Sequence, residues 1–259
     1  MRLLISLSAF PPLAFLEHFL NYRQREIFYA VAAILGILLL FATWIYGMIL
    51  LQRYYRRKAA ERSTQLQAAL GSAFTFTAEN PSLYLEMLRQ TSTTLRGQNI
   101  SLLSNRFSGP FQDGHSMQVM EAGYQVRTGK GGRYTVWQTI AHVGDQDWHF
   151  PPFSIKPRGF WSRLGLGGRG IRFDGHPKFG ALFKVKCEDE AAARTFLTPA
   201  LLDALDRFPG LTIEGRGNNL LIFRRRKALP AAEFLQFQQD ARTLAALLPP
   251  TVGQPVPYS

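Results

Sequence analysis

Cysteine, histidine and acidic residues are all scarce in this sequence. Cys187 is the single cysteine among 259 residues, so an intrachain disulfide and zinc sites built on several cysteines are excluded. One cysteine agrees with a reducing compartment. Asp and Glu number 18 against 30 Lys and Arg, which leaves a net charge of +12. Such an excess favours an anionic partner, of which phospholipid headgroups and nucleic acid are the two obvious kinds.

Motifs for nucleotide chemistry are missing or out of context. The sequence has no G-x-x-x-x-G-K-[ST] phosphate loop. Gly165, Gly167 and Gly170 spell G-x-G-x-x-G, but the flanking PRGFWSRL and IRFDGHP lack the strand-then-helix context and predict a flexible loop. No catalytic triad or paired carboxylates stand out, and no nucleic-acid-binding module accompanies the charge. We therefore expect a non-enzymatic protein with no cofactor, no identified small-molecule substrate and no nucleic-acid partner.

A long uncharged run is the feature around which the rest of the sequence is arranged. Residues Ile27–Leu51 contain no Asp, Glu, Lys or Arg. As a helix rising about 1.5 Å per residue, the run would be roughly 37 Å long, enough to cross a hydrocarbon core of about 30 Å with some tilt. We therefore predict a transmembrane helix over residues 27–51.

The apolar leader, residues 1–26, allows several structures. Pro11 and Pro12 interrupt it, and Glu17 would be unpaired in lipid. Three interpretations remain open: an interfacial helix lying on the membrane, a kinked second span, or a signal-like segment. The chain is accordingly expected to be single-pass or two-pass.

A group of cations, called the basic collar below, follows the span directly. Its members are Arg53, Arg56, Arg57, Lys58 and Arg62. Fewer Lys and Arg residues precede the span, so the positive-inside rule predicts that the C-terminal side lies in the cytoplasm for either structure of the leader. The collar is expected to contact anionic headgroups.

The sequence beyond the span predicts the α+β fold class. Residues 52–71 are expected to form a basic helical stalk, residues 72–248 a cytoplasmic α+β domain, and residues 249–259 a flexible Pro-rich tail. Runs of strand and helix patterns in separate parts of the domain favour a mostly antiparallel sheet packed by helices on one side.

Alternating residues and turn residues predict the strands. Met117–Arg127 and Arg133–Val143 flank a glycine-rich loop, and the second run has two mixed faces that indicate a central strand. Prolines near Trp148–Ile155 indicate an edge strand, whereas Phe179–Cys187 alternates like a half-buried strand. Leu95–Ser116 carries mainly turn residues and is expected to be irregular.

Helix signals are clearest in the last third of the chain. Asp189 predicts one N-cap, and Thr198 followed by Pro199 predicts another. Pro230 opens a final amphipathic helix. Its apolar face is expected to be Phe234, Phe237, Ala241, Leu244 and Leu248.

Several segments of the domain resemble a known kind of protein. They are Phe173–Phe179 (FDGHPKF), Phe183–Leu205 (FKVKCEDEAAARTFLTPALLDAL), the hairpin ending LLIFRRR, and Ala68–Phe76 (AALGSAFTF). Together they resemble bacterial membrane-anchored proteins of unknown function that have an N-terminal transmembrane helix and a cytoplasmic α+β domain. The resemblance implies the same architecture and a place in the inner membrane, and it supplies no catalytic residues.

Two basic patches are candidates for contact with anionic lipid. The first, the basic loop, carries aromatic residues among its charges, as in loops that dip into a membrane interface. Its residues are Lys156, Arg158, Trp161, Arg163, Arg169 and Arg172. The second, the basic strand end, is Arg224, Arg225, Arg226 and Lys227.

One cluster combines residue types that bind metals: His142, Asp145, Asp147 and His149. Its histidines lie seven residues apart across a predicted turn and could converge, although Asp is also common in turns. Two hypotheses follow. The first is a non-catalytic, membrane-tethered cytoplasmic domain that binds a protein partner or the anionic membrane surface. The alternative is a membrane-bound, metal-dependent hydrolase that uses this cluster.

Overall fold

The structure is a computed structural model that describes residues 22–77, 81–111, 116–129, 131–159 and 170–248. It divides into two units, Met1–Glu61 and Arg62–Ser259. Most of the leader, the tail and the centre of the basic loop, including Gly165 and Gly167, lie outside the described residues. So do three predicted site residues: Trp161, Arg163 and Arg169.

The described part of the first unit is helical. Helix α1 covers Tyr22–Leu70, so the predicted span and stalk form one helix without a break. Among the described residues, α1 is the one helix long and apolar enough to cross a membrane, a test that a signal sequence or a soluble core helix also passes. None of its most apolar window is buried. Gly71, at φ +71°, follows the last residue of α1, as a left-handed glycine often does at a helix end.

The second unit contains the sheet and the remaining helices of the described chain. The strands are β1 (Thr75–Phe76), β2 (Leu102–Pro110), β3 (Ser116–Arg127), β4 (Arg133–Gly144), β5 (Phe150–Pro157), β6 (Phe183–Cys187), β7 (Leu211–Gly217) and β8 (Asn219–Arg224). The helices are α2 (Pro81–Thr91), α3 (Thr93–Gln98), α4 (Pro177–Leu182), α5 (Glu190–Phe196), α6 (Pro199–Leu205) and α7 (Ala231–Ala246). This arrangement confirms the α+β class.

The eight strands form one open sheet in which every neighbouring pair is antiparallel. Their order is β1-β2-β3-β4-β8-β7-β5-β6. Strand β4 lies between β3 and β8, which confirms the central position predicted from its two mixed faces. A tight turn at Gly217, φ +57°, joins β7 directly to β8.

Helices cover both faces of the sheet, so the expectation of helices on one side was wrong. Ala141 and Val143 of β4 join a large core with residues of α4 to α7 and with Leu66 and Leu70 of α1. Ile140, pointing the other way, joins a smaller core with Leu88 of α2. Successive side chains of a strand point to opposite faces of the sheet. Both faces of β4 carry apolar residues because both faces are buried.

The segment expected to be irregular, Leu95–Ser116, contains most of α3 and all of β2. Helix α3 begins after the N-cap Ser92, whose side chain accepts a hydrogen bond from Leu95 N. The register of β2 shifts between Ser104 and Phe107, and Asn105 within that shift has φ +49°. A bulge of this kind breaks the alternation that would have revealed a strand.

Two further strand predictions were wrong in part. Strand β5 lies between β7 and β6 and is not at the edge. Two of its three prolines, Pro151 and Pro152, occupy a register shift between Phe150 and Phe153, where the regular ladder is interrupted. In the predicted strand Phe179–Cys187, the first part belongs to α4 and only Phe183–Cys187 is extended.

The helix signals of the last third are confirmed. Asp189 accepts a hydrogen bond from Ala192 N, and Thr198 accepts one from Leu201 N. Pro230 precedes α7. The residues predicted for its apolar face are all buried, and the last of them lies two residues beyond the end of α7: Phe234, Phe237, Ala241, Leu244 and Leu248.

Candidate functional site

A cavity of about 730 Å³ lies on the face of the sheet that α3 covers. Four cations of the described chain line it: Arg127 at the end of β3, Lys156 on β5, and Arg225 and Arg226 in the turn after β8. The described residues that line it include no Asp or Glu. This cavity, called the basic pocket below, therefore brings Lys156 of the basic loop together with two residues of the basic strand end.

A buried carboxylate fixes one wall of the basic pocket. Glu214, on β7, is only 1% exposed. It accepts hydrogen bonds from Ser92 Oγ and, at 2.6 Å, from Thr94 Oγ1, and its Oε1 lies 2.6 Å from Lys156 Nζ. Lys156 Nζ also donates to Thr93 Oγ1 at 3.2 Å. Because donors surround the carboxylate, Glu214 attaches the start of α3 to the sheet and holds the Lys156 amine at the pocket.

A chain of amides joins the turn after β8 to α3 beside the pocket. The backbone N–H of Arg226, a residue with φ +60°, donates to Gln138 Oε1 at 3.1 Å. Gln138 Nε2 in turn donates to Gln98 Oε1 at 3.0 Å. Since a backbone N–H can only donate, this chain assigns the orientation of both amides and leaves Gln98 Nε2 as the free donor.

Two polar atoms at the basic pocket have no hydrogen-bond partner within the described chain. They are the hydroxyl of Tyr124, a side chain 4% exposed, and Gln98 Nε2. Both residues line the cavity. Buried polar groups in native proteins nearly always have a partner, so a missing partner marks a place where a ligand group or water belongs.

The electrostatics of the basic pocket favour binding of anions. Glu214 offsets the charge of Lys156, but Arg127, Arg225 and Arg226 have no ion-pair partner within the described residues. Arginine presents several donors in a planar fork that suits carboxylate and phosphate oxygens. Among the described lining residues there is no histidine, cysteine or carboxylate that would serve as a general base.

The other predicted basic residues have separate places. Arg158 donates from Nε to Phe183 O at 2.9 Å, and Arg172 is exposed beside the bridge between Ile171 and Val185. Arg224 is half-buried at the end of β8, and Lys227 lies 3.1 Å from Glu233. Of the described residues in the two patches, Lys156, Arg225 and Arg226 are therefore the ones that meet in one pocket.

The basic collar falls into two structural settings. Arg53, Arg56, Arg57 and Lys58 are exposed on α1, and the Lys58 amine lies 4.9 Å from the ring centroid of Tyr54. Arg62 belongs to the second unit and forms a 2.5 Å ion pair with Glu121, which is 6% exposed. Its guanidinium also donates to Leu229 O, so Arg62 is engaged inside the domain.

The predicted metal cluster is not formed: among the described residues, no group of three or more His, Cys, Asp or Glu could hold a metal. His142 is 7% exposed, with Tyr84 OH at Nδ1 and Asn219 Oδ1 at 2.9 Å from Nε2. Burial lowers the pKa of His142 to about 4. Asp145 instead accepts from Asp147 N at 2.8 Å, and the exposed His149 contacts Asp147 O.

Several residues of the basic pocket were missed from the sequence. The lining residues Thr93, Tyr124 and Arg127 and the adjacent Glu214 come from three elements, α3, β3 and β7, and only the fold brings them together. One signal was readable: Glu214 is a charged residue within an apolar strand pattern, LTIEG, and such a residue needs a buried partner.

Comparisons with known proteins do not assign the chain to a family. No family model matches the chain, and no curated protein matches it. Among solved structures, the crystal structure of the mycobacterial trehalose monomycolate transport factor A, TtfA, is similar over 76% of this chain and 99% of that chain. The sequence identity is 15% and the TM-score is 0.46. A likeness at this level carries no functional implication for this chain.

Proposed function

We propose that this chain is a non-catalytic protein of the bacterial inner membrane, anchored by the apolar part of α1. Its cytoplasmic domain binds the anionic membrane surface through exposed cations. The orientation follows from the excess of Lys and Arg on the C-terminal side of the span. A protein partner on the membrane is the competing target.

The observation that carries the proposal is the exposure of α1. Its uncharged run is long enough to span, and its most apolar window is entirely unburied. Lipid is the solvent in which such a surface is stable. The first cations after the run, Arg53, Arg56, Arg57 and Lys58, are exposed as well, and headgroups attract cations near the surface.

Hydrogen exchange of the full chain in nanodiscs tests the surface binding. One set of discs contains phosphatidylcholine alone, and the other contains a large fraction of phosphatidylglycerol. We expect slower amide exchange on the domain in the anionic discs, reversed by about 0.5 M salt because the interaction is between exposed charges.

Equal exchange in both kinds of disc would rule out binding of the domain to anionic lipid. A protein partner would then be the remaining proposed target. Extraction of native membranes with alkaline carbonate checks the anchor separately. An integral chain stays in the membrane pellet, whereas a chain held only by charge is released.

A further inference from the structure

We propose that the basic pocket is a binding site for a phosphate group, carried either by a soluble metabolite or by a lipid headgroup. The site is independent of the anchor, because all of its residues belong to the unit Arg62–Ser259. It goes beyond attraction to a charged surface, because a discrete cavity with oriented donors selects one chemical group.

Charge selects the phosphate over other anions. Arg127, Arg225 and Arg226 face the cavity without an ion-pair partner in the described chain, while Lys156 is already paired with Glu214. A phosphate monoester carries a charge of about −1.5 to −2 and three acceptor oxygens. A carboxylate offers a single charge and two oxygens, which would leave more of these cations uncompensated.

The free donors match the same group. Tyr124 OH and Gln98 Nε2 are buried at the cavity without partners among the residues that the structure describes, and both carry hydrogens that phosphate oxygens accept. The amide of Gln98 cannot turn its oxygen inward without giving up its hydrogen bond from Gln138. The pocket thus combines positive charge from its arginines with neutral hydrogen-bond donors from Tyr124 and Gln98.

The volume indicates more than a bare phosphate ion. A cavity of about 730 Å³ falls within the range of about 300–1,000 Å³ typical of small-molecule sites. Val126, Pro157 and Thr212 line it beside the polar groups. This less charged wall suits the carbon part of a phosphate ester, such as a glycerol or sugar unit.

Calorimetric titration of the full chain in neutral detergent micelles tests the site. The probes are inorganic phosphate, glycerol 3-phosphate, and short-chain phosphatidic acid below its micellar concentration. Tighter binding of glycerol 3-phosphate than of phosphatidic acid indicates a soluble source, and the reverse order indicates a lipid headgroup. Either order supports the site.

Three variants locate the binding. Tyr124→Phe removes one donor and keeps the ring in the core, so it should weaken binding about threefold or more. The double variant Arg225→Ala/Arg226→Ala removes two charge-assisted donors and should weaken it about tenfold or more. The matched control is Lys186→Ala/Arg216→Ala, which removes two exposed cations that do not line the cavity and should stay within about twofold of the parent.

The proposal is overturned if no probe binds at millimolar concentration, or if the pocket variants and the control lose the same affinity. The second result would show attraction to net charge alone. If the phosphate site passes this test and the nanodisc experiment shows no surface binding, only the proposed surface binding is withdrawn. Thermal unfolding of each variant checks that the protein is still folded, so that a loss of affinity is not caused by unfolding.

Discussion

His142 shows how strongly the fold can change the chemistry of one residue. By sequence it was a candidate metal ligand, but both of its ring nitrogens are occupied inside the domain. Asn219 Nδ2 donates to Asn218, so Asn219 Oδ1 is the acceptor facing the imidazole. Because burial lowers the pKa of His142 to about 4, the ring is neutral at pH 7. Its hydrogen then lies on Nε2, and Nδ1 accepts from the hydroxyl of Tyr84.

A neutral buried histidine gives the domain a specific sensitivity to acid. The unfolded chain binds the His142 proton near pH 6.5, whereas the folded domain binds it only near pH 4. The unfolded state thus holds more protons between these values, and the free energy of unfolding should fall as the pH drops through that window. The total loss from this residue is roughly 3 kcal/mol.

Urea unfolding of the full chain in micelles, followed by pulse proteolysis at several pH values, measures this loss. The comparison is His142→Gln, which has no titrating group at the position. The parent should lose more stability than the variant between pH 6.5 and pH 4. Identical pH dependence in the two proteins would contradict the neutral, buried state of His142.

Removal of the Glu214 carboxylate should destabilise the domain more than removal of an exposed carboxylate such as Glu233. Glu214→Ala leaves the amine of Lys156 and the hydroxyls of Ser92 and Thr94 without their acceptor. Breaking a buried pair typically costs about 3–5 kcal/mol, and partial exposure of Lys156 lowers our expectation to about 2–3 kcal/mol. The measurement is the free energy of unfolding in urea.

The matched control is Glu233→Ala, which breaks an ion pair with Lys227 in which both side chains are about half exposed. We expect a loss of less than about 1 kcal/mol there, since solvent screens exposed pairs. Similar losses in the two variants would show that Glu214 does not hold α3 to the sheet.

At the scale of elements, the sequence predicted those strands and helices whose signals are local. Asp189 and Thr198 cap the helices they were expected to cap, and β4 is central as its two mixed faces indicated. Prediction failed where the chain departs from regular periodicity, as at the bulge around Asn105. It failed again at β5, where prolines lie in a register shift within an interior strand.

The basic pocket could not be predicted for a different reason. Its cations were visible in the sequence as two patches, but their convergence depends on β5 pairing with β7 and on the turn after β8. These contacts join residues far apart in sequence, which no local pattern specifies. The burial of the Tyr124 hydroxyl without a partner in the described chain is likewise a property of packing alone.

The contact between β5 and β7 depends on the absence of a side chain at Gly215. A Cβ atom there would lie 2.3 Å from Cε1 of Phe153, whose ring is 4.7 Å from that of Phe196 in the large core. Gly215→Ala should therefore destabilise the domain by about 1–3 kcal/mol through overpacking. Thermal unfolding of the full chain in micelles measures the change.

Two further variants separate the clash from a general effect of glycine replacement. Phe153→Leu in the Gly215→Ala background should recover part of the lost stability, because the smaller side chain makes room. Gly180→Ala in α4 meets nothing within 4 Å and should be neutral or stabilising. A Gly215→Ala protein as stable as the parent would contradict the close packing of β5 on β7.

At the scale of the whole molecule, the basic collar divides by role. Arg53, Arg56, Arg57 and Lys58 are exposed on α1 in the first unit, whereas Arg62 is bonded to Glu121 and Leu229 in the second. The sequence presents these five cations as one group. The structure shows that four are exposed beside the apolar run and that the fifth is engaged in contacts inside the domain.

Two variants should therefore have opposite effects. Replacing Arg53, Arg56, Arg57 and Lys58 together with Gln removes the positive bias beside the span, so part of the population should insert with the domain on the wrong side. The stability of the domain should be unchanged. Arg62→Gln should retain the orientation and lower the free energy of unfolding by about 2 kcal/mol, because it leaves the nearly buried Glu121 without its cation.

Protease protection of a C-terminal tag in membrane vesicles of known sidedness measures orientation, and pulse proteolysis in micelles measures stability. Arg207→Gln, a change of one cation far along the chain from the span, is the control for both measurements. If Arg62→Gln alone altered the orientation, or if the four-residue variant destabilised the domain as much as Arg62→Gln does, the division of the collar would be wrong. If instead the four-residue variant alters only the orientation and Arg62→Gln lowers only the stability, the two variants together separate the cations that orient the chain from the cation that stabilises the domain.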